Sequence, residues 1–212
     1  MIEWYPKAIA IPGPAWKQGY AGITVRQGKG LMGHSAEGRL NAALGVLDSN
    51  VKSSWCLFNA YDGILYQHYP LSAVTWHGGC VFANANFVGV EHEGRVGEPL
   101  TQAQVAALAE FTAWLAEQED WPEIKFPDPL WEHRMMIDYG AAPTACPSGR
   151  IPWQEVIELA TQIQKEIRVE RALRVLRGAA DENDMAGLIL RLVYLGVLPA
   201  GTKPLKLAIT GE

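Results

Sequence analysis

The sequence is poor in the features of secreted, membrane-spanning and repeat proteins. Its 212 residues include three cysteines, Cys56, Cys80 and Cys146, which cannot all pair with one another, so free thiols in a reducing compartment are the simpler expectation. Residues 1–6 lack the basic start and apolar run of a signal peptide. No stretch reaches the roughly 20 apolar residues that span a bilayer, and no internal repeat is evident. We therefore expect synthesis in the cytoplasm without autonomous export and without a transmembrane segment.

What the sequence does contain is typical of a folded domain with an acidic surface. Hydrophobic residues make up 49% of the chain, and the Trp count is 8, which argues against disorder. Residues 1–155 carry 10 Lys and Arg against 16 Asp and Glu, whereas residues 156–212 carry 8 against 7. The acidic part gains little from attraction to nucleic acid or other polyanions. Recognition through a shaped groove is expected instead, with no nucleic-acid partner.

The hydrophobic pattern alternates between strands and helices after a loop-rich N-terminus. Asp62-Gly63 lies between two strand-like segments and is a strong hairpin signal. Thr101 and Gln104 have the spacing of a capping box at the start of a helix. The predicted strands cover residues 29–34, 53–60, 64–69 and 86–92, and the predicted helices cover residues 37–47 and a segment that begins at Thr101. Together they predict an α/β fold with a central mixed β-sheet covered by helices.

Three residues from separate segments have the side chains of a zinc site. His34, His133 and Cys146 supply two imidazoles and a thiol, and three protein ligands leave the fourth zinc position open for water, as in catalytic sites. No short-range zinc motif supports them, and an isolated histidine is more often a surface or core residue. Folding alone can bring the three together.

The surrounding segments, taken in order, resemble the zinc-dependent N-acetylmuramoyl-L-alanine amidases, which include phage endolysins, cell-wall recycling amidases and peptidoglycan recognition proteins. The likeness covers about residues 28–155. The matching segments are Gly30 to His34, Ser54 to Phe58, Asp62 to Gln67, Trp76 to Gly79, Asn86 to Glu91, Leu100 to Gln104, His133-Arg134 and Thr144 to Ser148.

This resemblance implies a zinc cleft at one edge of the sheet, with His34, His133 and Cys146 as ligands of Zn²⁺. It also places a catalytic carboxylate at Glu91. In an alternating strand Glu91 shares a face with Phe87 and Gly89 and lies opposite two valines, which directs it to the cleft rather than the core. Glu91 is therefore expected to serve as general base and acid, unless it is an ordinary solvated strand residue.

Three further positions are compared with the family. Thr144 corresponds to a position of Lys or Thr in relatives and is expected to donate a hydrogen bond to the oxyanion, or only to hold its loop. Trp55 replaces a catalytic tyrosine of several relatives, and Cys56 replaces a histidine. Since an indole cannot accept a proton, Trp55 is expected to wall the cleft or stack on substrate. His77 is expected to contact substrate or to support its loop.

The remaining cysteine and histidines are expected to be structural. Cys80 has no neighbouring base in the sequence and suits a small buried cysteine. His68 lies outside the matching segments, and His92 lies on the strand face opposite Glu91. None of them is assigned a role.

Residues 156–212 form a helical C-terminal region that the resemblance does not cover. A helix is predicted from Trp153 to about Leu176, with arginines at positions 168, 171, 174 and 177. This stripe is a solvated face or a contact for teichoic acid, phospholipid or the acidic domain. A second helix, from Asp184 to Leu198, is apolar almost all round and requires burial. It is expected to pack in a hairpin, against the amidase domain or in a homodimer, or to target the cell wall.

Three functional classes follow from these observations. The first is a peptidoglycan hydrolase that cleaves the amide between N-acetylmuramic acid and L-alanine, either as a phage endolysin acting on the wall after release or as a cytosolic recycling amidase. The second is a non-catalytic peptidoglycan-binding protein of the same fold. The third is a regulatory protein whose C-terminal helices bind a partner. Retention of His34, Glu91, His133 and Cys146 favours the enzyme.

Overall fold

The computed structural model describes residues 3–28, 30–178, 187 and 189. The chain divides into two compact units, Met1–Thr161 and Gln162–Glu212. The candidate site lies in the first unit. The predicted boundary at residue 155 stays a prediction, and the predicted helix of residues 184–198 lies outside the described residues.

A six-stranded sheet forms the centre of the first unit, in the order β1-β4-β3-β5-β2-β6. The β3–β4 pair is antiparallel and the other pairs are parallel. The predicted mixed sheet is therefore confirmed. Its strands are β1 (Ile9–Ala10), β2 (Leu31–Ser35), β3 (Leu57–Asn59), β4 (Leu65–Gln67), β5 (Val88–His92) and β6 (Leu130–Glu132).

The predicted hairpin connects β3 to β4. Gly63 has a φ of 82°, in the left-handed region that glycine tolerates, and the Asp62 carboxylate accepts a hydrogen bond from the Ile64 amide at 3.0 Å. The Asp-Gly pair therefore forms the turn that the sequence predicted.

Two predicted helices are present with small changes at their ends. Helix α1 is Leu40–Asp48 and begins later than residue 37, because Glu37 has a φ of 50° and cannot start a helix. Helix α3 is Gln102–Gln118, and its capping box is complete: Thr101 Oγ1 accepts from the Gln104 amide at 3.1 Å, while Gln104 Oε1 accepts from the Thr101 amide at 3.0 Å.

The two faces of the sheet are covered by different elements. In the paired strands β2 and β5, His34 lies beside Glu91 and Gly33 beside Val90, so the first pair points to one face and the second pair to the other. Gly33 packs on Trp153 at the start of helix α4 (Trp153–Gly178). The opposite face therefore remains for the side chains of His34 and Glu91.

Two short elements near this face were absent from the prediction. Helix α2 is Val81–Asn86, and a 3₁₀ helix covers His133–Tyr139. Both pack around a small core on the face of His34, formed by Met32, Ala83, Phe87, Met136 and Ala141. At six and seven residues they are too short for hydrophobic periodicity to distinguish them from loops.

Helix α4 confirms the helix predicted from Trp153. The four arginines at positions 168, 171, 174 and 177 belong to this helix. The side chains of residues 174 and 177 lie outside the described residues, so the role of the arginine stripe stays a prediction. Within the described part of the chain, no helix has the length and apolar character needed to cross a membrane.

Candidate metal centre and active site

The candidate site is built at the carboxyl ends of parallel strands, an edge where side chains of neighbouring strands meet. His34 is the fourth residue of β2 and is 1% exposed. Glu91 is its register partner in β5, so the two side chains leave the sheet on the same side. The strand alternation read from the sequence therefore agrees with the structure in directing Glu91 away from the core valines.

A 3₁₀ helix and a loop bring the other two candidate metal ligands to His34. His133 follows β6 directly and begins the 3₁₀ helix. Cys146 belongs to the loop before α4, where the Ser35 amide donates to its Sγ at 3.2 Å and its carbonyl oxygen accepts from the Arg134 amide at 2.8 Å. One ligand atom from each of His34, His133 and Cys146 lies within 4.8 Å of the others. The structure thus groups the three residues singled out in the sequence.

The chemistry of this group fits a zinc ion. Two imidazoles and one thiol are preferred zinc ligands. Burial lowers the pKa of His34 well below its ordinary value and also lowers that of His133, so both rings are neutral and can donate a lone pair. Burial, with a smaller effect of Glu91, raises the pKa of Cys146 to about 12. A cysteine binds a metal ion as the thiolate, so binding of a cation here would release a proton from Cys146.

Glu91 contributes a buried carboxylate oxygen to the candidate site. Its Oε2 is buried and has no hydrogen-bond partner among the described residues. Burial, and then the charge of Glu37, raises the pKa of Glu91 to about 8, although Arg150 acts in the opposite direction. Burying a polar atom without a hydrogen-bond partner destabilises the fold. A buried carboxylate oxygen of this kind beside three candidate metal ligands is typical of a functional group.

Thr144 lies beside the cysteine of the cluster. Its Oγ1 accepts a hydrogen bond from the Cys146 amide at 3.1 Å. This bond holds the loop, as one reading of the sequence predicted. A hydroxyl that accepts one bond can still donate another, so the oxyanion role stays compatible with the geometry.

His77 lies deeper than the sequence suggested. The side chain is 6% exposed, and its Nδ1 is 2.9 Å from His34 Nε2 while its Nε2 is 3.1 Å from the carbonyl oxygen of Phe87. Burial lowers the pKa of His77 to about 3. Both ring nitrogens are therefore engaged inside the protein. A direct substrate contact stays an untested prediction, and these contacts favour a supporting role.

Trp55 and Cys56 lie in the core. Trp55 is 4% exposed and packs in a buried cluster with Phe58 and Tyr69. The Cys56 thiol donates to the carbonyl oxygen of Tyr69 at 3.2 Å, and burial raises its pKa to about 12. The substrate contact predicted for Trp55 is untested, but its burial favours packing behind the site.

Among the residues expected to be structural, Cys80 differs from its prediction. It is only partly buried, and its Sγ accepts from the Ala83 amide at 3.5 Å, which caps α2. His68 and His92 are buried, which is compatible with the structural role expected for both. Their Nδ1 atoms contact the Ile11 carbonyl oxygen at 2.8 Å and the Asn59 side-chain nitrogen at 3.2 Å.

Arg150 is a buried residue near the site that the sequence did not reveal. It is 4% exposed and donates to Ser35 Oγ at 2.8 Å and to the carbonyl oxygens of His92 and Glu93 at 3.2 and 2.7 Å. The guanidinium therefore joins the ends of β2 and β5, the strands that carry His34 and Glu91. A lone arginine after a Pro-Ser-Gly turn gave no signal of this role.

Comparisons with known proteins identify the family of the chain. Residues 25–149, more than half of the chain, match the family model described as N-acetylmuramoyl-L-alanine amidase. No curated protein matches the chain.

Several solved structures share this fold. The amidase LysC from Clostridium intestinale URNW has a TM-score of 0.51 and 19% identity, over 72% of this chain and 95% of that chain. A selenomethionine derivative of AmpD has a TM-score of 0.54 and 18% identity, over 74% and 96%. The hydrolase AmiA from Staphylococcus aureus, in complex with its ligand, has a TM-score of 0.59 and 15% identity, over 77% and 86%. At such identities the likeness shows the fold.

Proposed function

Because the chain belongs to the N-acetylmuramoyl-L-alanine amidase family, we propose that it hydrolyses the amide between N-acetylmuramic acid and L-alanine in peptidoglycan with the help of Zn²⁺. His34, His133 and Cys146 would hold the ion. The observation that carries this proposal is the grouping of their ligand atoms within 4.8 Å on the face of the sheet where Glu91 has an unpartnered carboxylate oxygen.

The metal and the protein side chains would contribute different parts of the chemistry. Zn²⁺, when bound, supplies Lewis acidity, which lowers the pKa of water and polarises a carbonyl. Glu91 would take the proton of the attacking water and deliver it to the leaving amine. Burial raises the pKa of Glu91 in the metal-free protein to about 8, and a bound cation would lower it, toward the ionised form that a general base needs.

Thr144 would donate its hydroxyl hydrogen to the oxyanion that forms on the scissile carbonyl. The hydrogen bond from the Cys146 amide to Thr144 Oγ1 supports this role because it fixes the position of the oxygen beside a metal ligand. A neutral donor of this kind stabilises the negative charge less than a lysine would.

A non-catalytic peptidoglycan-binding protein would need neither the three metal-type ligands nor a buried carboxylate beside them. The cost of burying Glu91 Oε2 without a partner is understandable when the group carries out chemistry. The geometry therefore favours an enzyme.

Within the amidase family we propose intact wall peptidoglycan as the substrate and a phage endolysin as the biological role. The family that the ordered sequence segments resemble includes phage endolysins as well as recycling amidases. The alternative, a cytosolic recycling amidase, would prefer soluble muropeptides. We also propose that residues 1–155 form the catalytic domain and that residues 156–212 serve packing, dimerisation or wall targeting.

The central test measures new L-alanine amino termini released from purified peptidoglycan. Protein as isolated, protein treated with a chelator, and chelated protein resupplied with Zn²⁺ are compared. Activity should disappear on chelation and return with Zn²⁺. Glu91→Ala, loaded with Zn²⁺, should be inactive or weaker by about 10²-fold or more. Folded, zinc-loaded wild-type protein that releases no L-alanine termini from any substrate would refute the proposed reaction.

The same assay on soluble muropeptides separates the two biological roles. Faster cleavage of intact wall supports the endolysin assignment. Cleavage of soluble fragments alone would assign the chain to recycling.

A further inference from the structure

His77 connects the candidate metal centre to the backbone of the neighbouring strand. His34 Nε2 is 2.9 Å from His77 Nδ1, and His77 Nε2 is 3.1 Å from the carbonyl oxygen of Phe87. On its other side, His34 Nδ1 is 3.9 Å from Cys146 Sγ. The Phe87 carbonyl, the His77 ring, the His34 ring and the Cys146 thiol therefore form a continuous chain of contacts.

The Phe87 carbonyl at one end of this chain determines which atom donates in each hydrogen bond. A carbonyl oxygen only accepts, so His77 Nε2 must carry the hydrogen. In a neutral imidazole the other nitrogen is then an acceptor, so His77 Nδ1 accepts from His34 Nε2. The hydrogen of His34 is thereby assigned to Nε2, which leaves the lone pair on Nδ1, the nitrogen that faces Cys146.

We propose that His77 is a positioning residue for the metal site, whose Nδ1 fixes both the ring orientation and the tautomer in which His34 Nδ1 binds the ion. Histidine ligands in metal sites commonly donate their second N–H to a fixed acceptor, which holds the ring and raises its basicity. Here the acceptor is another histidine. The inference rests on the proposed metal site.

The local structure holds His77 in place on two further sides. Its amide donates to Asn84 Oδ1 at 3.0 Å, and Asn84 also accepts from the Gly78 amide at 2.7 Å. The ring lies over Gly89 so closely that a Cβ at that position would be 2.6 Å from His77 Cγ. The absence of a side chain at Gly89 is therefore a condition for the ring to reach His34.

Two variants separate the proposed contact from simple packing. His77→Leu removes the acceptor, whereas His77→Asn keeps an oxygen that can occupy the place of Nδ1. His68→Leu is the matched control, because His68 is also buried but contacts the carbonyl oxygen of Ile11 rather than a metal-type ligand.

The readout is the affinity for Zn²⁺, measured by titrating the zinc-loaded, full-length protein with a chromophoric chelator of known affinity. His77→Leu should bind Zn²⁺ about 10- to 100-fold more weakly. His77→Asn should recover most of this loss, and His68→Leu should match the wild type. Equal affinities of folded His77→Leu and wild type, or an equal loss in His77→Asn and His77→Leu, would overturn the proposal.

Nuclear magnetic resonance tests the tautomers in the wild-type protein, independently of whether a variant folds. In zinc-loaded protein with ¹⁵N-labelled histidine, both His34 and His77 should carry hydrogen on Nε2. Hydrogen on Nδ1 of His34 would contradict the inference. A wild type that binds no Zn²⁺ would instead refute the proposed metal site, so the two failures are distinguishable.

Discussion

Glu91 illustrates how one side chain can couple burial to chemistry. Its Oε2 is buried beside the metal-type cluster, and burial raises its pKa to about 8 from the ordinary value of 4.5. A nearby cation would lower that pKa. The ionisation of Glu91 should therefore depend on whether the metal is bound.

This shift predicts a pH-dependent stability of the metal-free protein. A folded state that holds a proton more tightly than the unfolded chain is favoured at low pH. The contribution of Glu91 is complete below the ordinary pKa of 4.5 and is lost as the pH rises through about 8. Urea unfolding in the presence of chelator should show wild type losing stability relative to Glu91→Gln over this range. If the difference in unfolding free energy between the wild type and Glu91→Gln does not change with pH, Glu91 has an ordinary pKa.

Thr144 provides the second prediction for a single residue. Thr144→Val should lower kcat by about 10²-fold, because it removes the proposed oxyanion donor. Thr144→Ser keeps the hydroxyl and should stay within a few fold of the wild type. Steady-state rates of L-alanine release, with the zinc content of each variant measured in parallel, provide the comparison. If Thr144→Val loses zinc instead of kcat, the hydroxyl serves the Cys146 loop.

The clearest sequence signal for an element was the start of α3, and the structure shows why it is strong. Thr101 accepts from the Gln104 amide and also donates to the carbonyl oxygen of Tyr61 at 2.7 Å. Gln104 is buried and donates to the carbonyl oxygens of Asn59 and Glu93 at 3.0 Å. The cap thus joins the helix to the β3–β4 hairpin and to the end of β5.

Loss of this cap should destabilise the fold without changing the chemistry. Thr101→Ala should lower the free energy of unfolding by about 1 kcal/mol, within the usual range of roughly 0.5–2 for helix caps. Thr101→Ser should preserve most of it. Denaturant unfolding measures the change, and the amidase rate per folded molecule should equal that of the wild type. A large fall in that rate would mean that the cap also shapes the active site.

The whole molecule combines a unit that contains the candidate site with a C-terminal region of different composition. All the residues assigned to the site lie within Met1–Thr161, the first compact unit. A chain that ends at residue 178 should therefore cleave soluble muropeptide at a rate within about two-fold of the full-length protein, the agreement expected of changes that do not touch the site. Assays of both proteins at equal zinc content make the comparison. A marked loss would show that the tail is needed for chemistry.

The same truncation tests the proposed homodimer. Light scattering after size-exclusion chromatography should show a dimer for the full-length chain and a monomer for the shortened one. A monomer in both cases would leave wall targeting or packing as the role of the tail, and cleavage of intact wall would then distinguish these two.

The sequence by itself determined the features that depend on neighbours along the chain. The Asp62-Gly63 turn, the Thr101 cap and the alternation around Glu91 are local patterns, and each is present in the structure. The order of the motifs also identified the family. Short elements such as α2 were not predicted, because six residues carry too little hydrophobic periodicity.

Only the tertiary structure decided how distant residues meet. The strand register pairs His34 with Glu91, and the 3₁₀ helix and the loop before α4 bring His133 and Cys146 close to His34. The contact between His77 and His34 joins residues 43 positions apart. No local pattern encodes such a contact, because it depends on sheet order and on the space above a glycine in the next strand. For that reason the candidate ligands could be proposed from the sequence, whereas the tautomer inferred for His34 required the fold.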